Sequence, residues 1–121
     1  MNGAPRDLRE RTRTFAACVM RLGDSLPRTR SANVIAYQLV RSGTSVGAHY
    51  CEGIRGRSDA ELISKLEAAL QELDETAYWL ELLAESGIVR ASKLIALRDE
   101  AEELIKILVT CVKNVKARRR R

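Results

Sequence analysis

The only histidine of this 121-residue chain lies in the run His49-Tyr50-Cys51-Glu52. Imidazole, thiolate and carboxylate are the common ligands of zinc, and a His beside a Glu is a common acid–base pair. The spacing argues against both. On a helix, His49 and Glu52 share a face, whereas Cys51 points about 200° around from His49. Two ligands do not close a zinc site. Cys18, Cys51 and Cys111 are odd in number, far apart and without a CxxC pair, so they read as reduced thiols packed like small apolar groups. Ser42, Thr44 and Ser45 flank Gly43, but neither a GxSxG elbow nor a Walker-type loop is present. Arg55-Gly56-Arg57 ahead of Ser58 reads either as an anion site at a helix start or as a polar turn. No catalytic residue, metal or cofactor is expected, and the chain reads as a non-enzyme.

Charge is more informative. The net charge is +5, but it is segregated by segment. Residues 1–30 hold seven Arg against three acids, and residues 31–57 three Arg against Glu52. Residues 58–86 hold Lys65 against eight acids, net −7, and residues 87–121 ten bases against four acids, net +6. Glu67, Asp74 and Glu81 repeat at spacing seven, an acidic line that either faces solvent or meets a basic surface of this chain or of a neighbour. Lys113, Lys116 and Arg118 to Arg121 form a basic terminus, which reads as an interaction tail for a polyanion, nucleic acid first. An acidic protein partner is the alternative. Only five aromatics are present and none interleaves with the tail, so contact with nucleic acid would be electrostatic and weakly sequence-specific.

These side chains need a scaffold, and the pattern predicts an all-α one. At 45% apolar residues and with few glycines and prolines, the chain suits a single helical domain. The expected bounds are 1–117 for the domain and 118–121 for a basic tail that frays from Lys116 onward. Pro27, the Gly53–Ser58 stretch and Ser86-Gly87 divide four helical segments. The first, about 6–25, carries Leu8, Phe15, Cys18, Val19 and Leu22. The second, about 31–54, has Gly43, Gly47 and Cys51 on one face, which calls for a closely packed neighbour or else a break near Ser42-Gly43-Thr44. In the third, Leu62, Leu66, Ala69, Leu73, Thr76, Leu80 and Leu83 are spaced four and three, flanked by Ile63, Leu70, Ala77 and Ala84. Ser58 and Glu61 form an expected capping box, and Gly87 an expected left-handed stop. The fourth carries Leu94, Leu97, Ala101, Leu104, Leu108, Cys111 and Val115, with its start near Arg90 to Ser92. Short connections give an antiparallel up-down-up-down four-helix bundle. Nothing approaches the ~18 uninterrupted apolar residues of a membrane span, and the Arg-rich start lacks a signal-peptide core, so a cytoplasmic place is expected.

The stretch from Gln38 to Leu80 resembles the four-helix-bundle proteins encoded in intervening sequences of bacterial 23S ribosomal RNA genes, also called S23-type. The resemblance rests on Gln38, Arg41-Ser42, the run Ser45 to Gly53, the basic turn with Ser58 and Glu61, then Leu66, Ala69-Leu70 and Glu75. Ser45, Ala48, Glu52 and Gly53 match the family pattern directly. His49, Tyr50 and Cys51 stand where the family usually has Asn, Ile and Ala. The resemblance implies a homopentameric ring, and no enzymatic activity is established for the family. It also implies kinship with the accessory variability determinant of diversity-generating retroelements, a basic pentamer that binds nucleic acid and a reverse transcriptase. The structural motif expected here is therefore Gln38, Ser45, Ala48, Glu52, Gly53 and Glu75. Glu52 is expected to be buried and paired with Arg41 or Arg55. The expected nucleic-acid contacts are Lys113, Lys116, Arg118, Arg119, Arg120 and Arg121, with Arg55 and Arg57.

Overall fold

Thr29 and Ser58 each start a helix by the same device. The Thr29 hydroxyl accepts from the Ala32 N–H at 3.2 Å, and the Ser58 hydroxyl from the Glu61 N–H at 3.1 Å. In the computed structural model, which describes residues 5–120 (side chains 8–120), these caps open the second and third of four long helices. They are α1 (Pro5–Ser25), α2 (Arg30–Ile54), α3 (Asp59–Glu85) and α4 (Ile95–Arg119). A short 3-10 turn, Ala91–Lys93, precedes α4, and no strand occurs among the described residues. The start expected near Arg90 to Ser92 is thus this turn, and α4 itself begins later. Gly87 ends the α3 region at φ 76°, where a side chain would be strained.

The capping box is half as expected. The Glu61 carboxylate accepts from the Arg57 N–H at 2.6 Å, not from that of Ser58. It therefore ties down the basic turn rather than the cap residue itself.

Helix α2 does not break at Ser42-Gly43-Thr44. The small residues allow α1 to approach. A Cβ on Gly43 would lie 2.7 Å from Val19 Cγ1, and one on Gly47 would lie 2.8 Å from Thr12 Oγ1. Both distances are shorter than van der Waals contact, so the seam requires glycine.

The core runs the length of the bundle through Leu8, Phe15, Val19, Leu39, Val46, Leu66, Leu73, Leu80, Leu104 and Leu108. The third-segment stripe is buried as expected apart from Leu62, which is partly covered. In α4, Val112 is buried, while Leu97 and Cys111 are only partly so. A strict three-four alternation drifts around a helix of 3.6 residues per turn, which carries Cys111 off the seam. The hydroxyls of Ser42 and Thr76, both fully buried, lie 2.8 Å apart between α2 and α3. Each also reaches a carbonyl of its own helix, Leu39 at 3.2 Å and Glu72 at 2.8 Å. No helix is long and apolar enough to cross a membrane among the described residues.

Candidate functional site

Two polar assemblies stand out on this scaffold. The first is at the end of the bundle where α2 leaves, α3 starts and α4 finishes. Helix α4 does not fray at Lys116, as expected from sequence, but continues to Arg119. Arg118 reaches the first residue of α3: its Nη2 donates to Asp59 Oδ1 at 2.7 Å and its Nε to Oδ2 at 3.1 Å. This fork-to-fork geometry is the one Arg makes best. It holds the Asp59 carboxyl below its ordinary pKa, with Arg119 adding to the effect. Arg55 and Arg57, in the turn just before Asp59, are exposed, as are Arg119 and Arg120. The turn and the terminus, remote in sequence, therefore share one end of the molecule.

Two of the expected contacts are already engaged within the chain. Lys116 Nζ lies 3.2 Å from Glu67, and Arg118 holds Asp59. Lys113 is exposed. Arg121 lies outside the described residues. The acidic line on α3 meets this chain's own α4 at Glu67 and, through Arg98 at 3.5 Å, at Glu81.

The second assembly lies along the α2–α3 seam and contains the motif residues. Arg41 is its centre. Its Nε donates to Gln38 Oε1 at 3.1 Å, Nη1 lies 3.5 Å from Glu72, and Nη2 is bonded to Glu75. The Trp79 indole N–H donates to the same Glu75 oxygen at 3.1 Å. Arg41 first, then Trp79, hold the Glu75 carboxyl below the usual range. Farther along, His49 Nε2 is 3.8 Å from Glu72 and Nδ1 is 3.4 Å from Glu52. That Nδ1 is buried and lacks hydrogen-bond geometry to any partner. Ser45 donates to the Arg41 carbonyl at 2.7 Å, Ala48 is exposed, and Gly53 is buried against Lys65 and Leu62.

The expectation for Glu52 is overturned. Its side chain is 53% exposed, and its partner is Lys65 Nζ at 3.1 Å rather than Arg41 or Arg55. Lys65 is the main reason that the Glu52 carboxyl titrates below its ordinary value. The neighbour Gly53 takes the buried position, which turns Glu52 outward. The sequence reading counted Lys65 as the only base among the acids of its segment but did not pair it with Glu52. Trp79 and Glu72 were missed too, since only the fold brings them to Arg41.

No group of three or more His, Cys, Asp or Glu residues able to hold a metal ion exists among the described residues. The three thiols are free. The seam is thus a network of charge-assisted hydrogen bonds that fixes α2 against α3.

Residues 7–110 match the family described as 23S rRNA-intervening sequence protein. The chain belongs to that family. Within it, a solved structure of a protein of unknown function from the S23 ribosomal protein family of Bacteroides thetaiotaomicron is 31% identical. It superposes with a TM-score of 0.84 over 90% of this chain and 97% of that one. Comparison with curated proteins finds no match. For this S23-family chain, the expected family resemblance is thereby established across the bundle, including α2 and α3, whose polar seam carries the motif residues.

Proposed function

We propose that this protein is a non-enzymatic, oligomeric bundle that contacts RNA or DNA electrostatically through its basic end, with little sequence preference. One observation carries the reading: the Arg118–Asp59 clasp sets the end of α4, with exposed Arg119 and the following Arg120, at the same end of the bundle as the turn that holds exposed Arg55 and Arg57. Two basic stretches remote in sequence thus lie at one end of the bundle, an arrangement suited to phosphate binding. An antiparallel order of helices accompanies this reading. It is supported by pairs whose numbers fall on one helix as they rise on the other: Thr12 and Val19 meet Gly47 and Gly43, and Asp59 and Glu81 meet Arg118 and Arg98. A homopentameric ring is proposed on the family resemblance, and a cytoplasmic place is proposed alongside it. The ring would repeat the basic end five times and add avidity. The test is binding of unstructured RNA and of duplex DNA across a salt series, with light scattering for the mass of the assembly.

A second reading is a protein-binding adaptor, with a reverse transcriptase as one class of partner. It is favoured by Tyr37 and Tyr78, 67% and 54% exposed, which flank the Arg41–Trp79 cluster. Tyr, Trp and Arg are the residue types that dominate protein–protein hot spots. Stable capture of a protein by a chain that binds neither RNA nor DNA would favour it.

A further inference from the structure

The lateral seams of the bundle are unequal. Helix α2 packs extensively on α1 and α3, and α3 on α4, whereas α1 and α4 meet sparsely. A cavity of about 330 Å³ occupies that gap, within the size range of small-molecule sites. Phe15, Cys18 and Leu22 line it from α1, and Leu94 and Leu97 from the other side. Phe15 and Leu94 are each 1% exposed and belong to the hydrophobic core, so the walls are continuous with it. Water in such a trough finds few hydrogen-bond partners, and the walls forgo dispersion contacts while no apolar group fills it.

Thr14 adds a hydroxyl to the α1 wall, and the charged residues of the lining are Glu100 and Lys93 alone. Glu100 lines one end, but its charge is met by Arg11, Nη2 to Oε1 at 2.7 Å and Nε to Oε2 at 3.0 Å. Lys93, in the 3-10 turn, lines the other end. It is exposed and has no ion-pair partner among the described residues. Outside the lining, Arg21 Nη2 lies 3.4 Å from the sulfur of Cys18, a groove residue. The groove thus offers an apolar wall, a neutralised far end and a cationic mouth.

We infer that the α1–α4 groove binds a small amphipathic carboxylate, an unbranched apolar chain whose acid group is held by Lys93. From Lys93 to Glu100 the helical rise is about 10 Å, which sets the chain at medium length. A cationic amphiphile would meet the like charge of Lys93, and a neutral one would forgo the ion pair.

The test is calorimetric titration of the full chain with butanoate, hexanoate and octanoate, and with octanol as the neutral control. Affinity should rise about four-fold per added methylene until the groove is filled. Octanoate should bind at least ten-fold more tightly than octanol, and Lys93→Gln should erase that difference. Ala96→Phe, at an exposed position on the groove wall, should weaken octanoate at least ten-fold with helicity unchanged. In the unmodified protein, octanoate should also slow maleimide alkylation of Cys18 while leaving Cys51 and Cys111 unaffected, read by peptide mass. Absence of saturable octanoate binding, binding without protection of Cys18, or equal binding of octanol would each overturn the assignment.

Discussion

Arg118 clasps Asp59 through two hydrogen bonds, 2.7 and 3.1 Å long, joining the last turn of α4 to the first turn of α3. The contact organises the basic end and also occupies one of its arginines. Asp59→Asn should therefore release Arg118 to phosphate. The prediction is tighter nucleic-acid binding and a salt slope steeper by about one per engaged protomer. Binding isotherms at four or five salt concentrations would read it directly.

A second prediction concerns the buried hydroxyl pair. Thr76→Val strands the Ser42 hydroxyl between α2 and α3, where it keeps only the long contact to Leu39. The expected loss is about 1–3 kcal/mol by urea unfolding. Adding Ser42→Ala should cost less than the sum of the two single changes, because the pair is then removed together.

The glycine seam gives a third. Alanine at Gly43 or Gly47 gains about 0.5–1 kcal/mol of helix propensity. It also drives a methyl into Val19 or Thr12 at less than 3 Å. Overpacking of this kind costs about 1–3 kcal/mol, so both variants should be less stable than the parent. A rise in thermal midpoint would mean that α1 and α2 are farther apart than described.

The fourth is acid sensitivity. Arg41 first and Trp79 second lower the Glu75 carboxyl below its ordinary 4.5 in the folded chain. As pH falls, the unfolded chain takes up this proton first. The stabilisation is thus complete above about pH 4.5 and is lost as pH drops through the folded value. Lys65 on Glu52 and Arg118 on Asp59 act with the same sign. Stability should fall in acid, and Glu75→Gln should make that fall shallower. Trp79, the single tryptophan, donates to Glu75, so its emission should report the titration.

The helices were legible in the sequence because their determinants are local. Ser58 and Gly87 mark the ends of α3 within a few residues of it, and the leucine stripe declares its buried face. Gly43 and Gly47 were legible as a close approach because glycine at helical spacing costs propensity and needs a reason. The polar partners were not legible, because they are set by tertiary register. Glu52 has apolar neighbours in sequence, yet its face of α2 turns to Lys65 in the next helix. Arg118 sits in a run that reads as a free tail, and only the fold brings Asp59 beside it. The same holds for Arg41, whose partners Glu72 and Glu75 lie on α3.

The basic end is tested most directly by fluorescence anisotropy of labelled RNA and duplex DNA, titrated with the full chain and with a form lacking Arg119 to Arg121. The account predicts that log affinity falls linearly with log salt for both nucleic acids. The shortened chain, which keeps the Arg118–Asp59 clasp, should bind more weakly and with a flatter slope while its helicity and assembly are unchanged. No binding of either nucleic acid by the full chain at about 50 mM salt, or an identical slope for the two forms, would contradict it.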